Sequence, residues 1–359
     1  MVHIFGYEIT LFQIIATVFG IGLLVFIHEL GHFMMAKKFG IRVEKFAFGF
    51  GPELIGVTYG ETRYSICAIP LGGMVKMPGE SIEDSTGSPD EFMSQPWYRR
   101  LVIAFFGPFM NYILAVILFV IVIYFWGLAK PTNEPVIGEV LSGYPAAKAG
   151  IRPGDRILKI DAAPVASWIE MAEMLHKYPD RKMILTVRRD GADMTIGITA
   201  KKDPSSGLGL IGIAPRISIE RVSFVSSVGL SVKMVVYQSI FTLKYLGEKI
   251  VRWEKPEVAG PIGVIQILAK AARAGWDSLL HLLAVISVAL GLFNLLPIPL
   301  VDGGHIMLSL VEGITRRRLN KKIIQVTNSV GLFIILAIFM FATYSDLARL
   351  GLNFGKFIR

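Results

Sequence analysis

Two histidines four residues apart, His28 and His32, enclose Glu29 in the stretch Phe26-Ile27-His28-Glu29-Leu30-Gly31-His32. On a helix the two imidazoles lie one turn apart on the same face and can reach one ion, with the carboxylate beside them, which is the H-E-x-x-H arrangement of zinc hydrolases. A catalytic zinc takes three protein ligands and keeps one position for water, so the pair calls for a third donor. The stretch Asn294-Leu295-Leu296-Pro297-Ile298-Pro299-Leu300-Val301-Asp302-Gly303-Gly304-His305 offers two, Asp302 and His305. Pro297 and Pro299 stop a helix from hydrogen-bonding normally and leave Asp302 at about the depth that His32 occupies. A carboxylate in this Pro-Gly segment fits the third position better than its competitor His305. His281 reads as a polar contact facing a helix bundle, and His3 and His176 as surface residues.

These groups must be positioned by elements that are themselves unusual for charged chemistry. Ile9 to Ile27 is a 19-residue run without a charge, about long enough to cross a bilayer core, and titratable groups at that depth are costly unless they work. At 359 residues and 53% hydrophobic, with a mean hydropathy of +0.56, the chain reads as an integral membrane protein with room for one small domain. Four segments have the length and apolarity of spans: Thr10 to Ala36, Leu101 to Leu128, Ser278 to Leu296 and Ile323 to Tyr344. Trp97, Tyr98, Trp126, Trp276 and Tyr344 lie near their ends, where amphipathic rings favour the interface. The first span follows no basic leader and no small-residue cleavage site, so it reads as retained. The net charge of +9 sits in loops beside apolar runs and reads as topology and lipid headgroups; no basic-aromatic module suggests nucleic acid. Cys67 is the only cysteine, which rules out an intrachain disulfide.

The basic loops Lys37 to Arg100 and Arg316 to Lys322 set the sidedness. With four spans both are cytoplasmic and both termini lie outside. A fifth span over Val222 to Leu246 would put Arg316 to Lys322 outside and separate the ends of the first and third spans. That segment, with Lys233 and Lys244, is therefore expected to lie at the outer surface as an amphipathic helix. Arg63 to Ile69 alternates and is bounded by Gly49, Gly51, Pro70, Gly72 and Gly73, which predicts a small β-hairpin or sheet dipping into the membrane edge, its open strand edge available to a peptide. Ile82 to Gln95 reads as a flexible linker. From Pro135 to Arg216 the composition turns soluble: strands are expected at Val136–Val140 and Arg156–Ile160, a helix at Trp168–Tyr178, and a hairpin about Asp190-Gly191. Tyr144 to Asp161 within it resembles the PDZ domains of bacterial membrane and periplasmic proteases, which either bind peptides by strand addition or restrict access.

The H-E-x-x-H in the first span, Gly107-Pro108 with Asn111 in the second, Ala259-Gly260-Pro261-Ile262-Gly263 before the third, and Asn294 through Gly303 together resemble the site-2 protease family of intramembrane metalloproteases, in its bacterial RseP-like branch. The resemblance spans nearly the whole chain in the right order. It implies a Zn2+ endopeptidase that cuts transmembrane segments, typically after a first protease has trimmed the substrate outside. Carried onto this sequence, it makes His28, His32 and Asp302 the zinc ligands and Glu29 the general base. It also gives Asn294, Pro297, Pro299, Gly72 and Gly73 a part in holding the unwound substrate. Two positions depart from the family: Val301 replaces the usual leucine, and one PDZ module stands where enterobacterial relatives carry two.

The expected fold is thus a polytopic α-helical membrane protein with four transmembrane helices, a membrane-associated β-element and an inserted extracytoplasmic PDZ domain. Its parts are 1–36 (first span), 37–100 (cytoplasmic β-element and linker), 101–128 (second span), 133–216 (PDZ), 217–276 (amphipathic surface helices) and 277–359 (third and fourth spans). The expected location is a bacterial cell (inner) membrane, with the zinc site near the cytoplasmic side. The expected partners are single-span membrane proteins or remnant signal peptides, the lipid bilayer, and a peptide at the PDZ groove. Two rival readings are a catalytically silent PDZ membrane adaptor, for which intact His28, Glu29, His32 and Asp302 would be superfluous, and a metal transporter, for which a repeat of halves would be expected.

Overall fold

The computed structural model describes every residue except 1, 5, 6, 81–84, 205, 253–259 and 350–359. Ala259 of the glycine-proline motif and the first residues of the expected linker lie outside the described residues. The chain forms two compact units, one of residues 1–125 with 223–359 and one of residues 126–222.

The first unit is helical. Helix α1 (Leu11–Lys38) starts in a capping box in which Thr10 and Gln13 satisfy each other's backbone N–H groups, and it ends on Lys37 and Lys38, whose charge suits a helix C-terminus. Helix α2 (Trp97–Trp126) contains Pro108. It runs against α1 in the opposite sense, pairing Ile103 with His32 and Asn111 with His28. Contact is close because Gly31 lacks a side chain: a Cβ there would stand 2.2 Å from the Phe106 carbonyl oxygen. Helix α7 (Trp276–Leu295) runs the same way as α1, since Leu283 meets Gly20 and Arg273, just before it, donates to Gln13 at 3.3 Å. Ser287 of α7 donates to the Asn111 carbonyl at 2.8 Å, fixing α7 to α2. As the prolines predict, the chain leaves the helix after Leu295 and resumes at α8 (Asp302–Thr315), followed by α9 (Lys321–Arg349).

Helix α5 (Phe224–Val251), expected on the outer surface, is long and apolar enough to cross a membrane, giving five such helices among the described residues where the sequence reading has four. It packs against α7 and touches α2 at two places, with Phe224 edge-on to Tyr124 and Ser239 hydrogen-bonded to Tyr112 at 3.5 Å. Its lysines and serines lower the hydropathy of the segment without taking it below that of a candidate span. Helix α6 (Pro261–Ala274) begins on Gly260, where buried Asp346 of α9 accepts the N–H groups of Gly260 and Gly263 at 3.0 and 2.9 Å. This cap from another helix accounts for the motif's first glycine, whose Cβ would stand 2.5 Å from the Asp346 carboxylate.

Between α1 and α2, Lys45–Tyr59 and Thr62–Lys76 form the expected β-element. It is more than a hairpin, because Lys45–Phe48 pairs on one side with Arg63–Ile66 and on the other with Gly73–Lys76. Its outer loop exposes Leu54, Ile55, Val57 and Tyr59 by 64–80%, an apolar surface that water would penalise.

The second unit packs a four-stranded antiparallel sheet, in the order Ala192–Thr199, Lys182–Arg189, Arg156–Ile160, Ala163–Pro164, on two helices, α3 (Pro145–Lys148) and α4 (Trp168–Lys177). Its core is Ile157, Met171, Leu175, Met183, Leu185 and Val187. The strands, the helix and the Asp190-Gly191 turn fall within a residue or two of their expected places, and both turn residues have positive φ (50° and 83°) as a tight hairpin requires. Asp155 is buried and accepts from the Arg189 guanidinium through both oxygens at 2.7 Å and from the Arg152 N–H at 2.8 Å. Burial alone would raise its carboxyl, but these hydrogen bonds outweigh burial and hold it below the usual aspartate range. A depressed folded pKa stabilises fully above the unfolded value of about 3.9 and fades as pH falls toward the folded value. Amide protection factors in residues 126–222 of the full chain should therefore fall on acidification below about pH 4. Asp155→Asn should flatten that pH dependence, and an unaltered acid slope in the variant would refute the assignment.

Candidate metal centre

His28 and His32 reach the same point from one face of α1, and Asp302 reaches it from the first residue of α8. His28 Nε2 lies 3.0 Å from Asp302 Oδ2, His32 Nε2 lies 3.3 Å from Asp302 Oδ1, and the two Nε2 atoms are 3.1 Å apart. Among the described residues these three form the cluster whose donor atoms all lie within 4.8 Å of one another, and His305 is not part of it.

The outer nitrogens explain how the rings are aimed. His32 Nδ1 donates to the Ile103 carbonyl at 2.8 Å, so Nε2 carries a bare lone pair toward the centre. His28 Nδ1 meets the Asn111 amide at 3.1 Å. With the amide nitrogen turned to that ring, Asn111 Oδ1 is buried without a partner; turned the other way, the oxygen accepts Nδ1–H and His28 also presents a lone pair. Two lone pairs and a carboxylate then converge where each repels the others, and a cation resolves that repulsion. Two imidazoles and one carboxylate are also a donor set that suits zinc with one position left for water. Gly107 makes the room: a Cβ there would stand 2.3 Å from His32 Nε2 and 3.0 Å from His28 Cε1. Asn111→Ala should weaken metal binding by about 10–100-fold by freeing His28 to rotate, as measured by competition with a chelating dye; native affinity would show that Asn111 does not orient the ring.

Glu29 borders a cavity of about 40 Å³, room for a water, walled also by His32, Asp302, Val75, Glu80, Phe92 and His305. Val75 faces its carboxylate across that cavity. Of the residues expected to hold substrate, Gly73 adjoins the centre, since a Cβ there would stand 3.2 Å from Glu29 Cγ and 3.1 Å from Phe26 Cα. Gly72 packs under the Phe50 ring instead. Pro299 packs against Gly331 of α9, and Asn294, Pro297 and Pro299 are not among the walls of the Glu29 cavity. Gly303 and Gly304 carry the fold of this segment: a Cβ would stand 1.9 Å from the Leu296 carbonyl oxygen and 2.6 Å from that of Ile298. The sequence reading does not find the Ile103 carbonyl, which has no residue-type signal, or Glu80, which stands at the edge of a polar linker.

Residues 16–338 match the family model described as Peptidase family M50. The chain is 33% identical over 348 residues to a Clostridium acetobutylicum protein named "Putative zinc metalloprotease", covering 93% of this chain and 97% of that one. A Campylobacter jejuni protein of the same description is 32% identical over 366 residues, covering 98% and 97%. Among solved structures, the PDZ domain of an SdrC-like protein from Listeria monocytogenes is 21% identical, with a TM-score of 0.21, over 23% of this chain and 85% of that domain.

Proposed function

The chain belongs to peptidase family M50, and on that premise we propose that it is a Zn2+ endopeptidase that cuts the transmembrane segments of other proteins inside the bilayer. The observation that carries the reading is the convergence of His28, His32 and Asp302 beside Glu29, on helices long and apolar enough to span a membrane. Zinc bound there would lower the pKa of a water toward about 7 and polarise the scissile carbonyl. His28, His32 and Asp302 would hold the ion, with the Ile103 carbonyl and Asn111 keeping the two rings aimed. Glu29 takes a proton from the water as its oxygen attacks the carbonyl carbon, then gives it to the amide nitrogen as the C–N bond breaks. A helical substrate must first unwind, and its freed backbone can pair with the strand Gly73–Lys76, whose Gly73 adjoins Glu29. Asn294, Pro297 and Pro299 would serve that strand from the α7–α8 connection, and Gly72 from beneath it.

The substrates are single-span membrane proteins or remnant signal peptides, with the unit of residues 126–222 acting as a PDZ domain that binds a peptide or restricts access. Four complete crossings fit the helix directions. Helices α1 and α7 run the same way and α2 opposite, so an even number of crossings lies between α2 and α7. Helix α5 would supply one, and α6, at 14 residues, is too short for the second, being about 21 Å against a core of about 30 Å. The termini and residues 126–222 are then extracytoplasmic and the zinc site lies toward the cytoplasm. In cells, a membrane-impermeant thiol reagent added outside should label a cysteine introduced at Lys201 and spare one at Arg317 in a Cys67→Ser background; the reverse pattern refutes the sidedness.

The deciding experiment incubates the purified, zinc-loaded full chain with a model single-span substrate in detergent. Cleavage that a chelator stops and zinc restores is the expected result. An intact substrate with one zinc bound per chain would favour the adaptor reading.

A further inference from the structure

We infer that His305 is a further catalytic residue, a hydrogen-bond donor to the scissile carbonyl oxygen as that oxygen becomes negative. The inference rests on the peptidase reading and concerns a group that reading leaves idle.

His305 lies one turn beyond Asp302 on α8, and its own N–H is bound back to the Val301 carbonyl at 3.4 Å. Its ring is half-buried, edge-on to Phe92 with centroids 6.2 Å apart. Neither ring nitrogen has a hydrogen-bond or ion-pair partner among the described residues, whereas His28 and His32 each use both nitrogens. A half-buried ring with no protein partner keeps its N–H available to a ligand in the cavity it walls. The ring also stands at a junction. With Glu80 and Phe92 it walls both the 40 Å³ cavity beside Glu29 and a polar cavity of about 640 Å³ that reaches Arg100, Ser309 and Glu312.

The walls of the smaller cavity decide what His305 can do there. They hold the ligands His32 and Asp302, the carboxylates Glu29 and Glu80, and five apolar side chains, which leaves His305 as the one side chain that can donate a hydrogen bond without leaving the metal. As the water oxygen forms its bond to the carbonyl carbon, the carbonyl π pair moves onto oxygen, and a preplaced N–H directed at that oxygen stabilises the transition state more than the ground state. The water's proton goes to Glu29 and then to the leaving nitrogen, so His305 neither gains nor loses a proton.

The test compares native protein, His305→Phe and His305→Gln, each full-length and zinc-loaded, on the single-span substrate. His305→Phe should lose about 10²–10³-fold in kcat with little change in KM, and His305→Gln, which keeps a donor, should recover part of the loss. Two readouts stand apart from turnover. Zinc affinity should be native in both variants, and a phosphinic peptide that mimics the attacked carbonyl should bind His305→Phe more weakly by a similar factor. Native kcat in His305→Phe overturns the inference alone. So does loss of zinc, which would make His305 a ligand, or an equal loss in kcat and zinc affinity for Gln and Phe, which would make it a packing residue. Failure of the native, zinc-loaded protein to cleave overturns the peptidase reading and this inference with it.

Discussion

Glu29→Gln should lower the cleavage rate by roughly 10²–10⁴-fold while leaving one zinc bound per chain. Glutamine has nearly the same volume, so the cavity it walls with Val75, Glu80 and His305 keeps its shape. What it cannot do is take the proton of the attacking water or return one to the leaving nitrogen. His28, His32 and Asp302 do not lean on Glu29, whose side chain faces Gly73 and the cavity and makes no bond to the two rings' outer nitrogens. The variant thus separates proton transfer from metal binding, and it can be read by single-turnover cleavage with zinc counted on the same sample. An undiminished rate would move the base elsewhere, and Glu80, the other free carboxylate of that cavity, would be the group to replace next.

What could be read in the sequence follows from how local each feature is. The pairing of His28 with His32 needs only the period of a helix, and the break before Asp302 needs only two prolines, so both stand in the structure where the residues put them. The choice of Asp302 over His305 rested on a resemblance; the geometry now brings Asp302 to the two imidazoles and leaves His305 facing the reaction cavity. The features that escaped are long-range. The inner pairing of Lys45–Phe48 with two stretches of the strand Thr62–Lys76 at once cannot be told from alternation, which marks a strand without naming its partners. Helix α5 touches α2 through Phe224 and Ser239, contacts that hydropathy does not encode. Asp346 caps a helix 83 to 86 residues away in sequence, and nothing near it marks it as a cap.

Gly107→Ala, the smallest change available, should cost the protein both its metal and its activity. The added methyl would stand 2.3 Å from His32 Nε2 and 2.4 Å from Cε1, more than an ångström inside ordinary contact, so one side must move. The His32 ring cannot swing aside without giving up the Ile103 carbonyl, and His28 cannot without giving up Asn111. Nor can the helices part easily, since Gly31 seats α1 directly on the Phe106 carbonyl of α2. The strain therefore falls on the donor atoms, and losing one of three ligands should weaken zinc binding by at least the roughly 100-fold that a misaligned ligand costs, with cleavage falling further because the remaining ion is misplaced. Gly229→Ala and Gly247→Ala on α5, where a Cβ meets nothing within 4 Å, make the control: the same chemical change on an apolar helix should leave zinc affinity and turnover at native values. Native zinc affinity in Gly107→Ala would mean that the two helices stand further apart in the working protein than their glycines allow, and the metal centre would have to be assembled by some movement of α1 against α2.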